Sequence, residues 1–112
     1  MKSTEEHLPL KPRIFEILLA LLRGDDHGYA IIQELNRSSR TRILPGSFYR
    51  DLESIEAAEM IEEVDSPPGT AGRKRCFRIT SFGRTVVRAE ARRMEQLAQV
   101  GTELLQQSRG ES

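Results

Sequence analysis

A mainly α fold with a small β wing, a winged helix-turn-helix continued by a long C-terminal dimerisation helix, is what this 112-residue chain predicts. Three observations point to it. Residues 44–63 open on Pro45-Gly46 and carry apolar side chains at helical spacing. A turn-rich gap and a basic alternating segment, Arg73 to Ile79, then read as a hairpin. Thr80 follows, with the profile of an N-cap, before a long helical pattern. Helix, basic hairpin and capped helix, in that order, are what places one helix in a DNA groove and a wing beside it.

The elements follow in order. Residues 1–9 read as a flexible tail. The first helix runs from Pro12, suited to a first turn, to Arg23, and Gly24 ends it. Ile14, Ile17, Leu18 and Leu21 make one stripe; Phe15, Leu19 and Leu22 make a second. Two stripes imply burial on two sides, against the chain's own domain and a partner, or at the centre of a monomer's core. Asp25 and Asp26 are N-cap candidates for a second helix from His27 to about Asn36, with Ile31, Ile32 and Leu35 inward. Residues 40–44 suggest a short strand. In the third helix Phe48, Leu52 and Ile55 face the core, while Ser47, Tyr49, Arg50 and Ser54 point elsewhere, and the helix reaches about Met60.

Residues 61–64 read as a strand, 66–72 as a loop with two prolines and two glycines, and 75–79 as a strand with Phe77 and Ile79 inward. The fourth helix extends from Ser81 to about Gln107. Val87, Met94, Leu97 and Leu104 partly fit a heptad, with Glu90 and Gly101 at intervening seam positions. So long a helix exceeds what a small domain covers and is expected to pair with a second chain. The division is therefore 1–9 tail, 10–80 winged helix-turn-helix, 81–107 dimerisation helix and 108–112 tail.

Net charge is zero, with 17 basic and 17 acidic residues, but the charges are segregated. Residues 36–50 carry Arg37, Arg40, Arg42 and Arg50 and no acid; 51–65 carry seven acids and no base; 72–93 carry eight bases against Glu90 alone. A local positive field is what phosphate binding uses, although three solvated faces explain the charges equally well. No apolar run approaches the roughly 20 residues of a membrane helix. No secretory core precedes the first helix, and a single cysteine agrees with a reducing cytoplasm.

Other chemistry is sparse. His7, His27 and Cys76 lack metal-ligand spacing, so no metal or cofactor is expected. Cys76, between Arg75 and Arg78, reads as a structural cysteine before a low-pKa redox thiol. The acids of 51–65 spread around a helix and a strand, which suits a solvated face better than carboxylate catalysis or calcium. No nucleophile, base and orienter can be assembled, so an enzyme is not expected.

Three segments together resemble the PadR family of bacterial transcriptional regulators: His27-Gly28-Tyr29-Ala30-Ile31, Pro45-Gly46-Ser47-Phe48-Tyr49-Arg50 and Arg78-Ile79-Thr80-Ser81-Phe82-Gly83-Arg84. The match spans roughly residues 10–94, in the manner of the short subfamily with a single C-terminal helix. The resemblance implies a cytoplasmic homodimeric repressor that binds a pseudo-palindromic double-stranded operator of its own or a neighbouring gene. It implies Tyr49 on the DNA backbone, Ser47 and Arg50 at the groove, and Arg73 and Lys74 in the wing. With Arg42 and Arg75 these form the candidate DNA surface.

The candidate dimer interface is Phe15, Leu19, Leu22, Met94, Leu97 and Leu104. A small-molecule effector, if one exists, falls between the first and fourth helices near Phe15, Leu19, Met94 and Ala98. Three features depart from the family: Glu59 replaces a glycine, Cys76 replaces an aromatic, and there is no Trp. A left-handed residue at position 59 costs a non-glycine about 1 kcal/mol, which leaves room for a different turn. A winged-helix module that binds protein and not DNA is the alternative.

Overall fold

The computed structural model describes residues 3–24, 26–38, 42–65 and 75–108. Helix α1 spans Pro12–Leu22. Pro12 sits where a missing N–H costs nothing, and Gly24 leaves the helix end at φ 151°, a conformation open to glycine. Ile14, Ile17, Leu18 and Leu21 are buried. On the second stripe Leu19 and Leu22 stay 37% and 36% exposed, and Phe15 sits half-buried at the core's edge. One side of α1 thus fills the domain core while the other reaches the surface.

Asp26 and His27 form a two-residue strand, β1, and do not serve as the start of a helix. They pair antiparallel with Phe77 and Cys76, supplying backbone partners to a strand that would otherwise be an open edge. Helix α2 therefore begins one residue later than expected, over Gly28–Ser38. Asp25 lies outside the described residues. The strand expected over 40–44 does not form at 42–44. There the N–H of buried Ile43 donates to Asn36 Oδ1 at 2.7 Å, so a side chain replaces a ladder. Arg40 and Thr41 lie outside the described residues.

Helix α3 spans Pro45–Ala57 and buries Phe48, Leu52 and Ile55. It stops short of Met60 because the chain turns left-handed at Glu59, φ 62°. The N–H of Glu59 donates to Glu56 O and that of Met60 to Ile55 O, both at 2.9 Å, a Schellman arrangement. The turn is left-handed although the residue is not glycine. A non-glycine in this conformation costs about 1 kcal/mol, and the start of the last helix holds it in place. Thr80 Oγ1 donates to Glu59 O at 2.6 Å and Thr80 N to Met60 O at 2.9 Å.

Strands β2 (Ile61–Val64) and β3 (Cys76–Ile79) pair antiparallel with Ile61 opposite Ile79 and Val64 opposite Cys76. The sheet order is β1-β3-β2. Phe77 and Ile79 face inward as expected, and Cys76 is buried beside them. The expected wing loop over 66–72 lies outside the described residues.

Helix α4 runs Ser81–Gln107, with Thr80 as N-cap accepting from Gly83 N at 3.0 Å. Val87 and Glu90, read from sequence as seam positions facing a partner, are instead buried within this chain. The cause is the packing of α4 on α1, which brings that side of its first turns onto the chain's own core. The N-terminal segment joins the same surface. Residues 5–7 form a single 3-10 turn, the His7 ring meets Phe82 edge-on at 5.7 Å, and Leu8 packs against the core.

Glu90 is 2% exposed and ties these parts together. It accepts from Leu10 N at 2.9 Å and from Arg93 Nε at 2.5 Å. The Arg93 bond, with help from the Leu10 N–H, holds the Glu90 carboxyl below its ordinary range despite desolvation, which pushes the other way. Because the folded pKa is the lower one, this stabilisation is complete above the unfolded value of about 4.3 and disappears as pH falls through the folded value. Glu90→Gln should cost about 1–2 kcal/mol at pH 7. It should also flatten the acid limb of a Tm-versus-pH curve below pH about 4.3. A variant whose acid limb parallels the wild type's would contradict this role.

Candidate nucleic-acid interface

The N-terminal half of α3 lies at the surface beside the N-terminus of α2 and the start of β3. Gly28 makes this packing close: a Cβ there would sit 3.2 Å from Tyr49 Cε1. The Tyr49 ring also meets Phe48 edge-on at 5.1 Å, so it is braced from two sides yet 41% exposed. Adjacent helical positions do not share a face, which is why Phe48 is core and Tyr49 is not. His27, Gly28, Tyr29, Tyr49, Leu52, Arg75 and Phe77 line a groove of about 270 Å³ on this side.

The expected DNA-contacting residues divide into three groups. Arg42, Tyr49 and Arg50 are exposed near the start of α3. Arg50 Nε reaches back to Gly46 O at 3.4 Å, and neither Arg42 nor Arg50 makes an ion pair among the described residues. Ser47 is half-buried and turned toward α1, where its Oγ accepts from Arg13 Nη1 at 2.5 Å. Arg73 and Lys74 lie outside the described residues.

Arg75 stands apart. Its Nε donates to Glu63 Oε1 at 3.0 Å, its Nη2 donates to both Glu56 oxygens at 3.0 and 3.1 Å, and its guanidinium lies 4.9 Å over the Phe77 ring. Glu63 and then Glu56 raise its pKa further above an already high value. Arg78 pairs with Glu62 across the β2–β3 ladder at 3.2 Å. The acids of 51–65, read as a solvated face, are thus in part the counter-charges of β3 and α1. Asp51 faces Arg13 at 3.6 Å and Lys11 at 3.9 Å.

Sequence reasoning missed several residues of this surface. Arg13 extends it onto α1 and bonds Ser47; its position one residue after Pro12 gave no signal of that. Tyr29 and Leu44 are 59% and 67% exposed beside α3. Tyr29 looks like an ordinary helix residue and Leu44 like the end of a strand until the surface is assembled. Among the described residues no three His, Cys, Asp or Glu side chains gather to hold a metal ion, and no helix is long and apolar enough to cross a membrane.

Three helices, a helix turned outward by its N-terminal half and a β hairpin define a winged helix-turn-helix protein. A profile of the PadR-like family of transcriptional regulators matches residues 17–89, and the chain belongs to that family. It is 21% identical to a PadR family transcription regulator from Clostridium difficile, over 81% of this chain and 97% of that one, with a TM-score of 0.68. It is 20% identical to a PadR-like transcriptional regulator from Bacillus cereus, over 84% and 91%, with a TM-score of 0.72. These two likenesses bear on the fold. An uncharacterised 37.1 kDa protein in transposon TN4556 of Streptomyces fradiae is 35% identical over 82 residues. That match covers 73% of this chain, which spans 23% of the length of that curated relative.

Proposed function

We propose that the protein is a homodimeric repressor that acts in the cytoplasm on a pseudo-palindromic double-stranded operator. Residues 10–80 read DNA and 81–107 dimerise. The observation that carries this reading is the start of α3, where Arg42, Tyr49 and Arg50 stand exposed and the two cations have no acidic partner among the described residues. Unpaired guanidinium groups at the N-terminal end of such a helix suit phosphate and guanine contacts. Ser47 adds a hydroxyl at the rim, Arg75 steadies the base of the wing, and Arg73 and Lys74 reach phosphates from it.

Dimerisation is supported by α4. Met94, Leu97, Val100, Leu104 and Leu105 are exposed along its distal half. The radius of gyration is 17.1 Å, against about 13 Å for a compact domain of this length. Phe15, Leu19 and Leu22 on the outer side of α1 supply a facing apolar surface. An effector would lodge where that side of α1 meets the partner's α4, near Met94 and Ala98.

One observation favours the other reading, a protein-interaction module without specific DNA binding: Arg75 and Arg78 are already compensated by Glu56, Glu62 and Glu63. Salt separates the two. Binding to the DNA flanking the protein's own gene should weaken steeply with salt through counterion release; an apolar protein contact should not.

Individual roles have distinct signatures. Arg50→Ala should cost about 1–3 kcal/mol on the operator and relax preference at one base step per half-site. Arg73→Ala and Lys74→Ala should weaken specific and non-specific binding alike and each lower the salt slope by about one. Tyr49→Phe removes only the hydroxyl and tests a backbone hydrogen bond. If all four single variants bind as the wild type does in moderate salt, this face is not the DNA surface.

A further inference from the structure

The outermost ridge of α3 carries one donor group and one acceptor group. At about 100° per residue, Gly46, Arg50, Glu53 and Ala57 lie roughly opposite the buried line of Phe48, Leu52 and Ile55. All four are exposed. Gly46 and Ala57 present nothing larger than a methyl, so the polar groups along the ridge are the Arg50 guanidinium and the Glu53 carboxylate. Other acids on α3 have partners: Asp51 faces Lys11 and Arg13, and Glu56 holds Arg75. The Glu53 carboxylate takes part in no hydrogen bond or ion pair among the described residues. Arg50 does not close onto it either, since its Nε turns back to Gly46 O.

A carboxylate in this place is costly for a helix that binds DNA by charge alone, because phosphates flank the major groove on both sides. It becomes favourable where it meets a donor. The major-groove edge of cytosine presents the N4 amino group, for which Glu is a fitting acceptor, while guanine O6 and N7 and thymine O4 are acceptors that a carboxylate repels. The spacing fits as well. Three residues of helix rise about 4.5 Å, close to the roughly 3.4 Å step between base pairs.

We propose that Glu53 is a specificity-determining residue that accepts a hydrogen bond from cytosine N4 in the base pair next to the one Arg50 reads. This rests on the DNA-binding reading above and deepens it. Arg50 selects guanine by donation; Glu53 selects cytosine by acceptance and rejects bases that present acceptors there. Rejection is half of its contribution, since specificity is a difference between right and wrong partners.

The test is selection from a randomised double-stranded DNA library by the full-length wild type and by Glu53→Gln, Glu53→Ala and Arg50→Ala. Glu53 has no contact whose loss would unfold the chain. The wild type should enrich a motif with adjacent G and C in each half-site. Glu53→Ala should lose about tenfold preference at the C position only, and should bind a non-operator duplex more tightly. Arg50→Ala should relax the neighbouring G and bind that duplex more weakly. Glu53→Gln should move the preference from C toward A, which an amide reads through N6 and N7. A wild-type motif that both Glu53 variants retain unchanged overturns the role of Glu53 and leaves the DNA-binding reading standing. Failure of the wild type to enrich any motif overturns both.

Discussion

Gly83→Ala should lower the melting temperature by about 10 °C or more, from a net loss of about 2 kcal/mol. Gly83 is buried in the first turn of α4, and an added Cβ would sit 2.2 Å from Met60 O and 2.8 Å from Ile79 Cγ1. The first obstacle is backbone, not the flexible end of a side chain. That carbonyl also accepts from Thr80 N, so moving it breaks the link between the α3 turn and the last helix. Alanine gains about 1 kcal/mol of helix propensity, against overpacking of up to about 3 kcal/mol and a hydrogen bond worth about 1. The clash therefore wins. Gly46→Ala is the matched control, since a Cβ there meets nothing within 4 Å. Differential scanning calorimetry at equal protein concentration decides it. A Gly83→Ala variant that melts with or above the wild type would mean that the turn at Glu59 does not rest against α4.

The second large effect concerns assembly. Replacing Leu97 and Leu104 together with glutamate should convert the proposed dimer to single chains of 12.7 kDa in sedimentation. Operator affinity should fall by about a hundredfold or more, because two linked half-site contacts become independent. The two side chains are 58% and 57% exposed in the isolated chain, so their loss should leave its helical content in place. Circular dichroism checks that. A variant that sediments as an unchanged dimer would place the interface elsewhere. The expectation has a plain physical basis: a row of exposed leucines along one side of a helix is apolar surface that a second copy can remove from water.

Most of the elements were legible because each announces itself locally. Pro12 and Pro45 mark first turns, Thr80 caps α4, and the 3.6-residue spacing of Phe48, Leu52 and Ile55 names the buried side of α3. The family was legible for the same reason, since its motifs are short and ordered along the chain. The candidate site was less so. Arg50 and Tyr49 could be placed by helical phase, but Ser47 turned toward Arg13 and Arg75 toward Glu56 and Glu63, contacts that span 34, 19 and 12 positions. Charge counts foretold a basic segment and an acidic one; they could not say that the two would partly neutralise each other across a sheet.

From the sequence alone came the helices α1, α2, α3 and α4, with the start of α2 one residue early, the two-stranded wing and the surface on which Arg50 stands, because periodicity and capping act within a few residues. Tertiary structure decided the rest. It drew Asp26 and His27 into the sheet, kept Glu59 left-handed under Thr80, and took Val87 and Glu90 out of the apparent seam. Each of these depends on what occupies the facing side: an open edge of β3, a hydroxyl 21 positions away, and the N–H of Leu10 80 positions away. No local pattern in the chain records such a neighbour, since it exists only once the core has brought the segments together.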